Sequence, residues 1–220
     1  MLSFLRYLSP AESVGEILFG LIMVLTFTLG AAIAVGAGEG EGSARELLYA
    51  AIGCNIAWGI IDAVLYILGS KFVRGRRARL FRAIKAAPDE SSALAAIRQE
   101  IEPGLESITR EEDRDRLYRG IHALIMSYEP ARTRVTRDDL MGAVAVFVLV
   151  FATALPAAVP FLLVDDPQLA LRLSNLILIA LLFIVGYRWA LHTDTNPWLA
   201  GLGVMIIGVV LVAIAIPLGG

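Results

Sequence analysis

Asp62 is the only charged residue between Glu46 and Lys71, in a stretch that is otherwise apolar or weakly polar. An aspartate near the centre of a bilayer-spanning helix costs about 2.5–3.5 kcal/mol on insertion scales, so its carboxyl must face protein or water. Two chemistries fit such a group: an ion or proton site, or an interhelical hydrogen bond made by the protonated acid. Helical spacing puts Asn55, Gly59, Asp62 and Tyr66 on one stripe. An upstream stripe joins Glu12, Glu16, Gly20, Met23, Phe27 and Gly30, with its acids at one end, glycines suited to close packing, and Met23 deeper. Cys54 has no second cysteine to pair with and reads as a small packing residue rather than a metal ligand.

A separate set of donors lies in the charged middle of the chain. Glu102 and Glu106 are one helical turn apart, as are Glu111 and Asp115, and Glu100 precedes them. His122, Met126 and Glu129 follow at i, i+4 and i+7. Carboxylates with an imidazole and a thioether suit a divalent transition metal of intermediate softness. The same interval holds Arg110, Arg114, Arg116 and Arg119, which at helical spacing would pair with those acids and leave a solvated charged surface instead. Both readings stand at this level.

These residues need elements to hold them, and the hydropathy pattern supplies five. Hydrophobic residues make up 57% of the 220, with a mean hydropathy of +0.71, and they collect in long runs. A spanning helix takes roughly 20 apolar residues. Runs of that length cover Val14–Ala37, Leu47–Ser70, Leu140–Val164, Leu169–Leu191 and Trp198–Leu218. No segment shows the roughly 10-residue alternation of a barrel strand. The first run, at about 24 residues, exceeds the 7–15 of a signal-peptide core and reads as a retained span. The expected fold is an all-α integral membrane protein: five transmembrane helices, with a small cytoplasmic helical insert between helices 2 and 3. Its divisions are 1–70 for the tail and helices 1–2, 71–139 for the charged helical domain, and 140–220 for helices 3–5.

Charge sets the expected orientation. Of the 19 Lys and Arg residues, 15 fall between Lys71 and Arg137. Basic flanks stay on the cytoplasmic side, which places the N-terminus and 71–139 inside and the C-terminus outside. The short loops agree, with Glu39, Glu41, Asp165 and Asp166 outside and Arg188 and His192 inside. Residues 71–85 read as a basic continuation of the second helix touching anionic lipid, and a nucleic-acid site is not expected so close to a bilayer.

Local signals mark the boundaries. Ser9-Pro10-Ala11-Glu12 has the form of a helix start, with Ser9 as N-cap and Glu12 three residues on. Gly36–Gly42 predicts a flexible turn. Pro88-Asp89-Glu90 predicts a helix with Leu94, Ile97 and Ile101 on one face, ending near Pro103. Thr109 with Glu112 predicts a capping box for the next, whose apolar stripe is Leu117, Ile121, Leu124 and Ile125 and which Pro130 ends. Three short helices make a small core, expected to pack on a second copy or on the membrane helices. In the third span Pro156 and Pro160 predict a packing kink or a wet cavity. Ser174 and Asn175 suit helix–helix hydrogen bonds, and Gly201, Gly203 and Gly208 suit close packing.

There is no P-loop, dinucleotide fingerprint, HExxH or serine elbow in the chain, and no acid–base pair or nucleophile supports an enzyme. Two spans, a charged insert and three spans form an architecture that resembles the vacuolar iron transporter family. Glu16-Ile17-Leu18-Phe19-Gly20 is similar to that family's acidic, Phe-Gly opening of span 1. The stretch 154–163 is similar to its proline-bearing end of span 3, and 197–208 to its last helix. The family usually continues the Phe-Gly with Asn-Asp-Gly, where this chain has Leu21-Ile22-Met23-Val24. Its second helix carries a Met and then Gly-Glu, where this chain has Gly59-Ile60-Ile61-Asp62.

The resemblance implies a homodimer that handles metal ions and protons; the expected setting is a bacterial inner membrane, in contact with lipid. It implies no permanently bound cofactor, and export of ferrous iron or manganese from the cytosol in exchange for protons. Met23, Asn55 and Asp62, with Glu16, would form the pathway. Glu100, Glu102, Glu106, His122, Met126 and Glu129 would gather metal. The competing expectations are a non-transporting structural or regulatory membrane protein of the same fold, and transport of a different small solute.

Overall fold

The computed structural model describes residues 7–36, 44–105, 109–128, 134–215 and 217. The described residues form seven helices: α1 Pro10–Gly36, α2 Ala44–Lys85, α3 Glu90–Leu105, α4 Glu111–Ser127, α5 Arg137–Leu163, α6 Pro167–Ala190 and α7 Pro197–Ala215. No strand occurs among the described residues. Helices α1, α2, α5, α6 and α7 are long and apolar enough to cross a membrane. The all-α, five-span expectation is met. The contacts divide the chain into two units, Met1–Ile67 with Arg137–Gly220, and Leu68–Thr136.

Several helix starts follow directly from residue type. Ser9 and Glu12 make the expected reciprocal box: Glu12 N–H donates to Ser9 Oγ (3.2 Å) and Ser9 N–H to a Glu12 carboxylate oxygen (2.7 Å). Pro10, Pro167 and Pro197 open α1, α6 and α7, where a missing N–H has no intrahelical partner to lose. Asp166 and Asn196 stand just before the last two and accept from Gln168 N–H (2.9 Å) and Trp198 N–H (3.0 Å). Asp89 caps α3 by accepting from Ser92 N–H (2.7 Å) and the Ser91 hydroxyl (2.6 Å).

The Thr109 box does not form. Helix α4 begins at Glu111 with Arg110 as N-cap and no side-chain cap bond. The Thr109 hydroxyl donates instead to the Leu105 carbonyl (2.7 Å). A threonine that bonds four residues back closes the preceding helix instead of opening the next. Three acids in the first turn, Glu111, Glu112 and Asp113, complement the α4 dipole without a cap. Pro130 and most of the Gly36–Gly42 turn lie outside the described residues.

In the first unit, Leu21, Val24 and Leu25 of α1 meet Ala154 and Ala157 of α5, Leu178 and Leu182 of α6, and Val212 of α7. Helix α5 continues through Pro156 and Pro160, and the alanines around them leave room for close neighbours. Helices α6 and α7 press together at glycines. A Cβ on Gly186 would stand 2.9 Å from the Ala200 carbonyl oxygen, and one on Gly201 would stand 2.9 Å from that of Phe183. Gly208 packs on Leu182, whereas Gly203 faces open space. Two of the three glycines expected to pack in α7 therefore do so.

The second unit buries Ile84 of α2, Ala93 and Ile97 of α3, and Tyr118 and Ile125 of α4. The α4 stripe is rotated from the expected one. Tyr118, Ile121 and Ile125 face the core, while Leu117 and Leu124 are exposed at 43% and 69%. Tyr118 takes the inner position with the Arg98 guanidinium 5.6 Å above its ring, a cation–π contact that sequence spacing does not reveal.

Candidate functional site

The α2 stripe lies against α5. Asn55 is fully buried, and its amide donates to the Val150 carbonyl (2.9 Å) and to Thr153 Oγ1 (3.1 Å). Thr153 donates in turn to Val150 O (2.7 Å). Gly59 sits on the Phe147 ring, 3.0 Å from where its Cβ would be. Tyr66 lies over Gly142, where a Cβ would strike its ring, and its hydroxyl donates to the Tyr7 carbonyl (3.1 Å). Asp62 stands between these anchored residues at half-burial. Its Oδ2 is buried with no hydrogen-bond partner among the described residues.

Helix α1 forms the other wall. Phe19 and Trp58 meet edge-on, ring centroids 5.7 Å apart at 72°. Glu16, one turn before Phe19, interacts electrostatically with Asp62, one turn after Trp58. Met23, further along the same α1 stripe, is half-buried. Between Glu16 and Met23, Gly20 is pressed onto the Thr153 side chain, with the Val150 carbonyl 3.2 Å from where its Cβ would be. Gly20 and Asn55 both meet Thr153 of α5, and Glu16 lies within electrostatic range of Asp62, so the α1 and α2 stripes line one seam along α5.

The seam is rich in acceptors and poor in positive charge. Asn55 Oδ1 is a second buried oxygen without a partner among the described residues. The sequence holds no Lys or Arg between Arg45 and Lys71, and none in α1. Buried acceptors of this kind are normally satisfied by a donor or a cation.

Sequence spacing missed two supporting residues. Thr153 is a lone hydroxyl in an apolar run, and such residues usually satisfy themselves on their own helix; here it also holds Asn55. Thr28, fully buried, donates to Asn175 Oδ1 (2.6 Å) and ties α1 to α6. Asn175 thus makes the expected helix–helix bond, while Ser174 Oγ is buried with no partner among the described residues.

The donors of the second unit are dispersed. No group of three or more His, Cys, Asp or Glu side chains converges among the described residues. Glu100 binds Arg76, whose Nη2 donates to both carboxylate oxygens (2.8 and 2.9 Å). Asp115 accepts from Arg98 (2.7 Å). These pairs bridge helices, in place of the i, i+4 pairs with Arg110–Arg119 that spacing offered. Glu102 and His122 are half-buried and Met126 is exposed, and Glu106 and Glu129 lie outside the described residues.

Five helices long and apolar enough to cross a membrane, with a charged helical insert after the second, define an all-α integral membrane protein. The VIT family model matches residues 70–220, 151 of the 220. The chain belongs to this family, the vacuolar iron transporters, whose members are membrane transporters and not enzymes. The match begins in α2 just past Asp62, so it covers the insert and α5–α7 but not Glu16, Met23, Asn55 or Asp62. No curated protein matches the chain.

Proposed function

We propose that the protein transports a divalent transition metal, ferrous iron or manganese, in exchange for protons. The observation that carries this reading is the pair of buried acceptor oxygens without a described partner, Asp62 Oδ2 and Asn55 Oδ1, inside an apolar span with the Glu16 carboxyl within electrostatic range of Asp62. A metal ion or a proton removes the repulsion between the two carboxylates, and the two compete for the same oxygens. Loading one face with metal and the other with protons then drives exchange. Met23, a soft donor, and Asn55, an oxygen donor, extend the path from Asp62 along the seam.

The same reading places the N-terminus and residues 71–139 on the cytoplasmic side of a bacterial inner membrane, with two copies forming the working unit. Glu100, Glu102, Glu106, His122, Met126 and Glu129 then act by raising the local cation concentration. The Glu100–Arg76 pair does not oppose this, because its side chains are 41% and 65% exposed and exposed pairs contribute only about 0–1 kcal/mol.

The test is ferrous and manganous flux into proteoliposomes under a pH gradient. Asp62→Asn and Glu16→Gln are expected to lower flux at least about tenfold, the scale on which groups supporting a metal matter. Wild-type flux in Asp62→Asn removes Asp62 from the path. A second reading, a non-transporting module of the same fold, is favoured by Leu21-Ile22-Met23-Val24 where the family usually has Asn-Asp-Gly. Absence of flux in the wild type selects it.

A further inference from the structure

The first fifteen residues after the second apolar run, 71–85, hold seven Lys or Arg and no acid. They belong to the same uninterrupted helix as that run. One face of this segment forms a groove of about 640 Å³ with Phe72, Arg76, Arg79, Leu80, Ala83 and Glu100 in its walls. The order along the helix is informative. Phe72 comes first, 72% exposed and directly after the apolar run. Arg76 and Arg79 follow one and two turns on. An apolar contact followed by guanidinium groups, read outward from the bilayer, is the order in which a phospholipid presents its acyl chains and then its phosphate.

We propose that this groove is a discrete binding site for an anionic phospholipid of the adjoining leaflet. The phosphate binds Arg79 and Arg76, and the upper acyl chain covers Phe72. Arg76 remains competent for this while paired, because Glu100 engages only Nη2 and a guanidinium offers five donors in a planar fork. Polybasic segments beside a span attract anionic leaflets in general. The groove and the exposed aromatic ring at its mouth add a shape that a diffuse charge lacks. Gly75 also lines the groove, and a Cβ there would meet nothing within 4 Å. A leucine at 75 therefore projects into the groove, leaves every charge in place and improves helix propensity.

The experiment uses the full-length protein in maltoside micelles and follows its melting temperature with added phosphatidylglycerol, phosphatidylcholine or inorganic phosphate. Phosphatidylglycerol is expected to raise the melting temperature of the wild type, and the other two are not. Gly75→Leu and Arg79→Gln are each expected to remove at least half of that shift. Arg110→Gln/Arg116→Gln, which deletes the cation at the N-cap of α4 and one within it, is expected to keep it. A full shift surviving in Gly75→Leu, or an equal loss in the α4 variant, overturns the discrete site in favour of diffuse attraction. An equal shift with phosphatidylcholine overturns recognition of the anion, and an equal shift with inorganic phosphate overturns the lipid as its source. Gly75→Leu keeps Arg79 in place, so the proposal stays testable if Arg79→Gln does not fold.

Discussion

Asn55 and Asp62 sit two turns apart on one helix face, yet they carry different loads. Asn55 is fixed by two donated bonds to α5, whereas Asp62 has a buried oxygen that no described group satisfies. The first is architectural on one side and open on the other; the second is the group to which the proposed exchange assigns the proton or the ion. Gly20 explains how Thr153 reaches Asn55, since any side chain at 20 would occupy the Thr153 position. Gly20→Ala is expected to lower stability in detergent by about 1–3 kcal/mol through overpacking. Thr153→Ala alone is expected to cost about 0.5–1.5 kcal/mol for its lost hydrogen bond. In the double variant the clash is relieved, so the two losses should not add. Simple additivity in thermal melts would show that Gly20 does not pack on Thr153. Asp62 could be found in the sequence because a charge in an apolar run is conspicuous. Thr153 could not, because a single hydroxyl in such a run carries no sign of its partner 98 residues away.

At the level of elements, helix ends were legible and helix faces less so. Ser9, Asp89, Asp166 and Asn196 all stand where a short polar side chain reaches the free N–H groups of the first turn. Asp89 makes a pH-dependent prediction. The Ser91 hydroxyl, and then the Ser92 N–H, hold its carboxyl below the usual carboxylate range. A folded value below the unfolded one means that the cap stabilises α3 above the ordinary carboxylate range. That contribution is lost as pH falls through the depressed folded value. Asp89→Ala should therefore speed amide exchange at Ser91 and Ser92 at neutral pH and change little in strong acid; equal effects at both would refute the cap. The α6–α7 contact gives a second prediction. Gly186→Ala meets the Ala200 carbonyl and the Val204 side chain, so it should cost about 1–3 kcal/mol in a thermal melt. Gly203→Ala meets nothing within 4 Å and should be neutral or mildly stabilising.

For the molecule as a whole, orientation is the property on which the direction of transport depends. In a Cys54→Ala background, Asp165→Cys is expected to react with an impermeant maleimide in intact cells, and Arg77→Cys only after permeabilisation. The opposite pattern reverses the expected topology and with it the proposed direction of export. By itself the sequence determined the number of spans, the all-helical class and most helix starts. These depend on segment length and on side chains within a turn of each other. The tertiary structure alone decided that Glu16 comes within electrostatic range of Asp62, that Thr153 holds Asn55, that Tyr118 displaces Leu117 and Leu124 from the α4 core face, and that Arg76 and Arg98 pair with Glu100 and Asp115. Each of these joins different helices, and the rotation of one helix against another is set by the packing of the whole bundle, which no local spacing encodes.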